Sequence, residues 1–330
     1  MNRIEIIKEL VFLLHLTPSG DNCRPFLFQF NKDSNEFKII YCKKQATHVL
    51  NPNELSSSIS LGMMDYAISI LGLKIIKKEI NFLELNNDQG VVACYWFDFD
   101  NSTILPTVKN SILNRKTNRS KHSEKVRAST DDKIVLIKDF PKELIQHFLK
   151  IEDTFWTNEA ILRDVFHWVH LSKKHFYKKI LGLYWRELSG GITDYPFFIL
   201  LKYFRKWAIL LYRLGVKFII RAHLTALYES SSLLLIPLPS QEITVESFFE
   251  LGRISYKQWL EMTDAGLVLQ PLSFYTFSQI GYANDLIDEL NQLTGQQNNF
   301  YWIFRAGKSN LKADTNIKLS KSIEQILSII

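Results

Sequence analysis

The chain has 330 residues, of which 46% are hydrophobic and 22% are charged, and no low-complexity segment or long linker interrupts it. Such a chain can bury a large core, so we expect one compact unit, with two related halves sharing an interface as an option. The formal net charge of +6 is scattered along the chain, which argues against a nucleic-acid-binding stripe but suits an anionic small ligand such as a phosphate ester.

The start of the chain predicts an amphipathic helix that ends near Leu16. Ile4, Ile7, Val11 and Leu14 share one helical face, and charged residues interrupt the apolar run. No small-residue cleavage site follows, so this segment is unlike a signal peptide. The three cysteines are far apart and form no CxxC pair, which favours a reducing compartment, the cytoplasm.

The remaining elements mix hairpins with long helices. The predicted strands are Phe26–Phe30, Glu36–Cys42, Val91–Phe99, Lys133–Ile137, Ser232–Leu238 and Asn298–Arg305. The predicted helices are Ile59–Leu73, Thr107–Asn114, Glu143–Lys150, Glu159–Lys179, Glu246–Ala265 and Ala283–Leu293. Ser322–Ile330 is a short tail helix or strand, and no internal repeat is evident by eye. This order favours an α+β fold, rich in antiparallel pairing, over a doubly wound one.

Several common catalytic motifs are absent from the sequence. It contains no GxGxxG, no GxxxxGK[ST], no GxSxG and no HExxH. His167, His170, His175 and Asp164 form a local cluster that could be a metal site. Aromatic neighbours and the lack of a second carboxylate favour ordinary histidines, so we predict no metal.

The segment TPSGDNCRPF, residues 17–26, is the first motif that could carry chemistry. Ser19 and Gly20 can present a hydroxyl and backbone N–H groups to a ligand, and Asn22 can donate and accept hydrogen bonds. Pro18 and Pro25 stiffen the ends of the loop. A tight turn between a helix and a strand explains the same residues equally well.

The segment NRKTNR, residues 114–119, is the second such motif. Arg115, Thr117 and Arg119 alternate, so two guanidinium groups and a hydroxyl could converge on one phosphate. The alternative is a solvated basic turn.

Taken together, the two motifs resemble those of the nitroreductase-like flavoprotein superfamily, most closely its fused, pseudo-dimeric branch. In that family a PSGxNxQPW segment follows the first helix, and an R-x-[ST]-x-[RK] segment holds the phosphate of FMN. Pro18, Ser19, Gly20, Asn22 and Pro25 match the first segment, whereas Arg24 replaces its Gln and Phe26 its Trp. Arg115, Thr117 and Arg119 match the second.

Two later segments are similar to the family as well. Residues 266–273 (GLVLQPLS) look like the segment of the family that enters a strand beside the flavin ring. The resemblance therefore implies that Gln270, Pro271 and Leu272 bind the cofactor. Residues 304–309 (FRAGKS) look like its closing strand, and Lys321, less surely Lys318, takes the place of its phosphate-anchoring arginine.

The resemblance implies a fold of two fused nitroreductase-like halves, residues 1–104 and 105–330, with a helical lid insertion at about 180–225 and FMN where the halves meet. The implied FMN ligands are Pro18, Ser19, Gly20, Asn22, Arg24, Arg115, Thr117, Arg119, Gln270, Pro271, Leu272 and Lys321. Arg24, an obligate cation, could favour reduced, anionic flavin. No side chain is required as a general acid or base, so the resemblance names no catalytic residue.

Residues 195–221 (YPFFILLKYFRKWAILLYRLGVKFIIR) are apolar, aromatic and basic. The cations break the run too often for a membrane-spanning helix. A pair of helices over the core or a lid is the favoured interpretation, and a membrane-surface or partner-binding helix is the alternative.

Three functions are compatible with these features. The first is an FMN-dependent oxidoreductase that uses reduced nicotinamide, NAD(P)H, and a small-molecule substrate. The second is a dehydrogenase of a modified peptide, working beside a partner protein. The third is a flavin store, closed by an aromatic lid. A homodimer is compatible with each.

Overall fold

The computed structural model describes residues 2–100, 102–126, 130–131, 134–172, 182–188, 195–281, 284–309 and 323–330. Its strands are β1 (Phe26–Asn31), β2 (Glu36–Cys42), β3 (Lys74–Ile80), β4 (Gln89–Asp98), β5 (Thr130–Asp131), β6 (Ile134–Ile137), β7 (Val169–His170), β8 (Leu183–Tyr184), β9 (Ser232–Pro237), β10 (Val268–Pro271), β11 (Tyr301–Gly307) and β12 (Leu327–Ile329). The predicted α+β class is confirmed.

The described helices pack around two sheets. They are α1 (Arg3–His15), α2 (Leu55–Ile70), α3 (Pro106–Asn114), α4 (Lys142–Thr157), α5 (Glu159–His167), α6 (Trp185–Leu188), α7 (Tyr195–Tyr203), α8 (Arg205–Leu211), α9 (Lys217–Glu229), α10 (Val245–Asp264), α11 (Ser273–Gly281) and α12 (Asn284–Thr294). Helix ends follow local chemistry: the Asn2 side chain caps α1, and Thr244 and Ser247 form a capping box at the start of α10.

Each of the two main sheets has five strands. The first has the order β12-β1-β2-β4-β3, and the second has the order β10-β11-β9-β6-β5. Four strands of the first sheet lie in the spatial order β1-β2-β4-β3, and four strands of the second lie in the corresponding order β6-β9-β11-β10. Every neighbouring pair among them is antiparallel. The two sheets therefore share one four-stranded connectivity.

The helices α2 and α10 occupy equivalent places in this connectivity and cross at two glycines. An ideal Cβ on Gly62 would lie 1.9 Å from the Phe249 carbonyl oxygen, and one on Gly252 would lie 2.2 Å from the Ile59 carbonyl oxygen. Each helix thus presents its glycine to the residue three positions before the glycine of the other. The two glycine contacts are therefore reciprocal.

A sequence repeat, missed in the sequence analysis, accompanies this crossing. Ser57, Leu61, Gly62 and Tyr66 of α2 recur at the same spacings as Ser247, Leu251, Gly252 and Tyr256 of α10. The rings of Tyr66 and Tyr256 meet edge to face, with centroids 6.5 Å apart. The two helices match both in sequence and in their contacts.

The chain ends in the first sheet, because β12 pairs in parallel with β1. This sheet therefore contains a strand from outside residues 1–104, the predicted N-terminal half. Between β6 and β9, the second half carries a helical insertion that includes α4 to α9, so it begins earlier than the predicted lid at about 180–225.

One large apolar core joins the two halves. It includes buried side chains of α1, α2, the first sheet, α10 and the second sheet, such as Phe28, Met63, Trp259 and Phe304. A second cluster lies between α4 and the other face of the second sheet, and a third holds the insertion together around Phe166, Trp185 and Phe198. The insertion has its own small core.

Candidate functional site

The loop between α1 and β1, residues 17–24, is held by its own polar groups. The Ser19 hydroxyl accepts a hydrogen bond from the Arg24 backbone N–H at 3.0 Å, and Arg24 Nε donates to Asn22 Oδ1 at 2.9 Å. Arg24 Nη1 lies 2.7 Å from Nε2 of the buried His15. Asn22 and Arg24 both adopt left-handed backbone conformations, with φ of 56° and 47°. These bonds hold a loop that two residues would otherwise strain.

Gly20 lies against the first turn of α2. An ideal Cβ at this position would lie 2.9 Å from both His48 Nε2 and the Ser56 hydroxyl oxygen. Close packing therefore accounts for the glycine without a ligand. Pro18 and Ser19, just before it, are half-buried at the mouth of the same loop.

The insertion contacts this loop at Asn22. Asn22 Nδ2 donates to the Gly182 carbonyl oxygen at 2.8 Å, and the Gly182 N–H donates back to the Asn22 carbonyl oxygen at 3.0 Å. Gly182 has a φ of 89°, and any Cβ there would collide with the Trp168 carbonyl oxygen. Gly182 thus joins the insertion to the predicted ligand loop.

Arg115, at the end of α3, brings the second motif to the first. Its Nη2 donates to the Leu16 carbonyl oxygen at 2.8 Å, and its guanidinium lies 4.7 Å from the ring centroid of Trp259. Burial lowers the pKa of Arg115, and interaction with Tyr256 opposes that shift. The contacts join the start of the loop, the end of α3 and α10.

Arg115 and the Tyr256 hydroxyl interact directly with each other, and the neighbouring Trp259 Nε1 is buried with no hydrogen-bond partner among the described residues. Trp259 Nε1 can only donate, and buried donors are normally paired. A group rich in acceptor oxygens, such as a phosphate or a ring carbonyl, is therefore the kind of ligand that fits this cluster.

The third predicted segment lies beside the second. Thr117 forms a parallel bridge with Leu269, and the Asn118 N–H donates to the Leu269 carbonyl oxygen at 3.1 Å. Gln270 and Pro271 pair with β11, whereas the Leu272 side chain is buried in the second apolar cluster. Segments 115–119 and 268–271 thus lie side by side, and Arg115 reaches Leu16, directly before the loop 17–24. Leu272 is a core residue, and Lys321 lies outside the described residues.

Arg305 is a residue of this region that the sequence analysis did not select. It is 1% exposed and lies in β11 between Phe304 and Ala306. It donates to Gln270 Oε1 at 2.8 Å, to the Leu227 carbonyl at 2.9 Å and to the Ser231 hydroxyl at 3.2 Å. Its Nη2 reaches two more carbonyls, those of Asn118 and Ser120. Burial lowers the pKa of Arg305 to about 10.

The sequence signal for Arg305 was a single basic residue inside an apolar strand pattern, NFYWIFR. A cation there must find acceptors from several elements, because burying an unsatisfied charge is costly. Here the acceptors are the carbonyls on either side of Arg119 and the side chain of Gln270. Arg305 is therefore a positioning residue that holds two of the three predicted segments.

His122 provides a pH-dependent contact next to this network. It is 6% exposed and packs on Gly307, where an ideal Cβ would lie 2.5 Å from its Nδ1. Burial, followed by the charge of Arg305, lowers the pKa of His122 to about 4 from the ordinary value of 6.5. The neutral imidazole is the form that the fold accommodates.

We expect His122 to make the protein less stable as the pH falls from 6.5 towards 4. In that window the unfolded chain binds a proton at this residue and the folded chain does not, so the free energy of unfolding falls, on the order of 2 kcal/mol in total. Urea unfolding of wild type and His122→Asn at pH 7.5 and pH 4.5 measures this. The variant should lose this part of the acid sensitivity, and an equal pH dependence in both proteins would contradict the assignment.

Another buried polar cluster, at the start of α2, has a structural role. Glu54 Oε2 accepts hydrogen bonds from the Tyr41 hydroxyl and, at 2.8 Å, from Asn51 Nδ2, and Asn51 Oδ1 accepts from the Ser57 N–H at 3.0 Å. Burial, followed by the hydrogen bond with Glu54, raises the pKa of Tyr41. The network satisfies the polar groups at the start of α2, where the backbone of Glu54 is left-handed with a φ of 61°.

A cleft of about 700 Å³ opens elsewhere, between the end of α4 and a π turn at Tyr212–Val216. Its lining includes Asp153, Glu159, Arg213 and Lys217, and none of the predicted FMN ligands. Asp153 accepts from the Tyr212 hydroxyl at 2.5 Å and pairs with Lys217 at 3.2 Å. The carboxylates in this cleft disfavour a phosphate there.

The histidine cluster of the sequence analysis is dispersed in the described part of the chain. Asp164 accepts a hydrogen bond from the Val49 N–H, His167 ends α5, and His170 lies in β7. Within the described residues, no group of three or more His, Cys, Asp or Glu side chains could hold a metal ion. His175 lies outside those residues.

The sequence matches no model of a known protein family, and a search of curated proteins finds no match either. The function is therefore argued from the geometry of the site.

Proposed function

We propose that this protein binds FMN at the junction of its two halves and that it is an oxidoreductase of the nitroreductase-like kind. The observation that carries the proposal is a pair of contacts between distant segments: Arg115 donates to the Leu16 carbonyl, directly before the loop 17–24, and Thr117 bridges to Leu269. The Trp259 ring under Arg115 has a buried Nε1 with no partner among the described residues.

The repeated architecture supports the same proposal. Two sheets of equal connectivity, joined through a two-glycine helix crossing, are compatible with a fused pair of related halves. The strand β12, which crosses from the second half to the first sheet, ties the halves together. A ligand at this junction would touch both halves.

The roles of the residues follow from their contacts. The Arg115 guanidinium would hold the phosphate together with the Thr117 hydroxyl and Arg119. Backbone groups of the loop at Ser19 and Gly20 would approach the flavin ring. Arg24 would place a fixed positive charge near it, which favours an anionic, reduced ring. Bound FMN would supply hydride transfer through its N5 atom, from NAD(P)H to a small organic acceptor.

The visible absorption spectrum of the purified protein tests the proposal. We expect a yellow protein that releases FMN on denaturation and bleaches when NAD(P)H is added without oxygen. A colourless protein that also fails to take up added FMN would refute the cofactor assignment, and with it the site.

The phosphate assignment has its own test. We expect the double variant Arg115→Ala, Arg119→Ala to bind FMN at least about tenfold more weakly, because each charge-assisted hydrogen bond contributes about 1.5–3 kcal/mol. Fluorescence titration with FMN measures the dissociation constant, and circular dichroism checks folding. Lys121→Ala removes a neighbouring exposed charge and should bind FMN normally. Arg119→Ala alone serves if the buried Arg115 is needed for folding.

A second function, flavin storage without turnover, is favoured by one contact. The reciprocal hydrogen bonds between Asn22 and Gly182 join the insertion to the ligand loop, and the insertion is rich in packed aromatic rings such as Trp185 and Phe198. An insertion that covers the flavin would keep NAD(P)H away from the ring. A yellow protein that NAD(P)H does not bleach, but that a small reductant such as dithionite does, would support storage over catalysis.

A further inference from the structure

The insertion exposes an apolar surface that neither FMN binding nor a lid explains. Leu214 and Phe218 are each 73% exposed, and Trp207 is 60% exposed. We define the apolar face as Tyr203, Phe204, Trp207, Leu210, Leu211, Leu214, Phe218 and Ile219. The other large apolar side chains that are exposed in the described chain lie singly or in pairs, as Ile76 and Leu83 do. Eight within seventeen consecutive positions form a patch of the kind that marks an interaction site.

The spacing of the central residues places them on one side of a helical run. Trp207, Leu210, Leu211 and Leu214 recur every three or four residues in α8 and the π turn, between breaks in the helix at Phe204 and at Gly215, which has a φ of 148°. The opposite side is buried: Ala208 and Tyr212 are each 2% exposed. Both the inward and the outward sides of the run are therefore apolar.

Basic side chains border the apolar face. Lys206 and Arg213 are exposed within it, and the sequence from Tyr195 to Tyr228 contains no Asp or Glu. Other cations of the segment have partners inside the protein: Lys202 donates to the Val169 carbonyl, and Lys217 pairs with Asp153. The exposed charges of the segment itself are therefore all positive, and Asp153 and Glu159 of the neighbouring helices line the cleft beside Arg213.

We propose that the apolar face binds the surface of an anionic lipid bilayer, with the helical run lying in the plane of the headgroups. Aromatic and aliphatic side chains would enter the boundary between headgroups and acyl chains, while Lys206 and Arg213 pair with anionic headgroups. No helix among the described residues is long and apolar enough to cross a bilayer, which fits binding at the surface.

Flotation with vesicles tests the proposal. We expect the full chain to float with vesicles of phosphatidylcholine and phosphatidylglycerol in a 3:1 ratio, and to bind at least about tenfold less to phosphatidylcholine alone or in 0.5 M salt. Trp207 fluorescence should be quenched by lipids brominated near the headgroup, and Trp207→Phe should lose that part of the quenching.

Variants separate the two contributions. Lys206→Gln with Arg213→Gln should weaken binding to anionic vesicles at least about tenfold, and Trp207→Ser with Phe218→Ser should reduce it at least as much. Leu83→Ser and Lys121→Gln, which remove an exposed apolar group and an exposed charge elsewhere, should bind like wild type. Circular dichroism confirms that each variant is folded.

Two results would overturn the proposal. One is a chain that stays in solution with anionic vesicles. The other is a chain whose apolar face is covered by a second copy, seen as a dimer in sedimentation equilibrium that Trp207→Ser with Phe218→Ser dissociates and that does not float. Neither result would bear on FMN binding, since the two surfaces share no residue.

Discussion

The variant Gly62→Ala is expected to lose more than about 3 kcal/mol of stability, although alanine normally stabilises a helix by about 1 kcal/mol relative to glycine. The added Cβ would lie 1.9 Å from the Phe249 carbonyl oxygen, which is backbone of α10 and cannot rotate away. The two helices would have to separate. Gly252→Ala should behave in the same way, because its Cβ would lie 2.2 Å from the Ile59 carbonyl oxygen.

Urea unfolding followed by circular dichroism measures this loss. Ser69→Ala, an exposed position on the same helix, should change the free energy of unfolding by less than about 0.5 kcal/mol. The variant has a functional consequence as well, because Gly20 rests on Ser56 of α2 and Arg115 rests on Trp259 of α10. Separating the helices should weaken FMN binding along with stability. A fully stable Gly62→Ala protein would mean that the helices do not cross this closely.

Local sequence patterns sufficed for elements whose residues interact mainly with their neighbours. The hairpin predicted at Phe26–Phe30 and Glu36–Cys42 is confirmed as β1 and β2, since alternating apolar residues and a turn-rich NKDSN linker specify it locally.

The strand β3 was missed, because Lys74–Ile80 is an edge strand with mostly exposed side chains and no core pattern. The helix predicted at Glu159–Lys179 ends at His167, where the Trp168 carbonyl accepts from the Leu183 N–H in the β7–β8 pairing. The helix α11, Ser273–Gly281, is not among the predicted elements.

The site could be predicted in composition but not in its internal bonding. The motifs select Asn22, Arg115 and Gln270, and the structure places the segments of Arg115 and Gln270 side by side. It also gives several of them partners that no local pattern could reveal, such as Gly182 for Asn22 and Arg305 for Gln270. Those partners come from segments far away in the chain, so only the folded structure identifies them. The repeat shared by α2 and α10 was overlooked because few of its positions are identical, and only the glycine crossing makes them meaningful.

Arg305→Met is expected to cost more than about 4 kcal/mol, a loss of exceptional size for one substitution. Removing the guanidinium relieves the burial of a charge, but it leaves the Asn118 and Ser120 carbonyls and Gln270 Oε1 without this donor. Each buried acceptor that is stranded costs about 1–3 kcal/mol. The Leu227 carbonyl suffers less, because the Ser231 hydroxyl still donates to it at 2.6 Å.

Arg305→Lys and the surface control Lys308→Met show whether the stability depends on the several N–H donors of the Arg305 guanidinium or on its charge. Arg305→Lys keeps a charge but cannot reach five acceptors, so it should fall between wild type and Arg305→Met. Lys308→Met, which breaks only an exposed pair with Glu124, should cost less than about 1 kcal/mol. Because Arg305 holds the carbonyls on both sides of Arg119, the surviving folded fraction of Arg305→Lys should also bind FMN more weakly than Lys308→Met does. Equal FMN affinity in the two variants would mean that residues 115–119 keep their shape without Arg305, and the buried network would then serve stability alone.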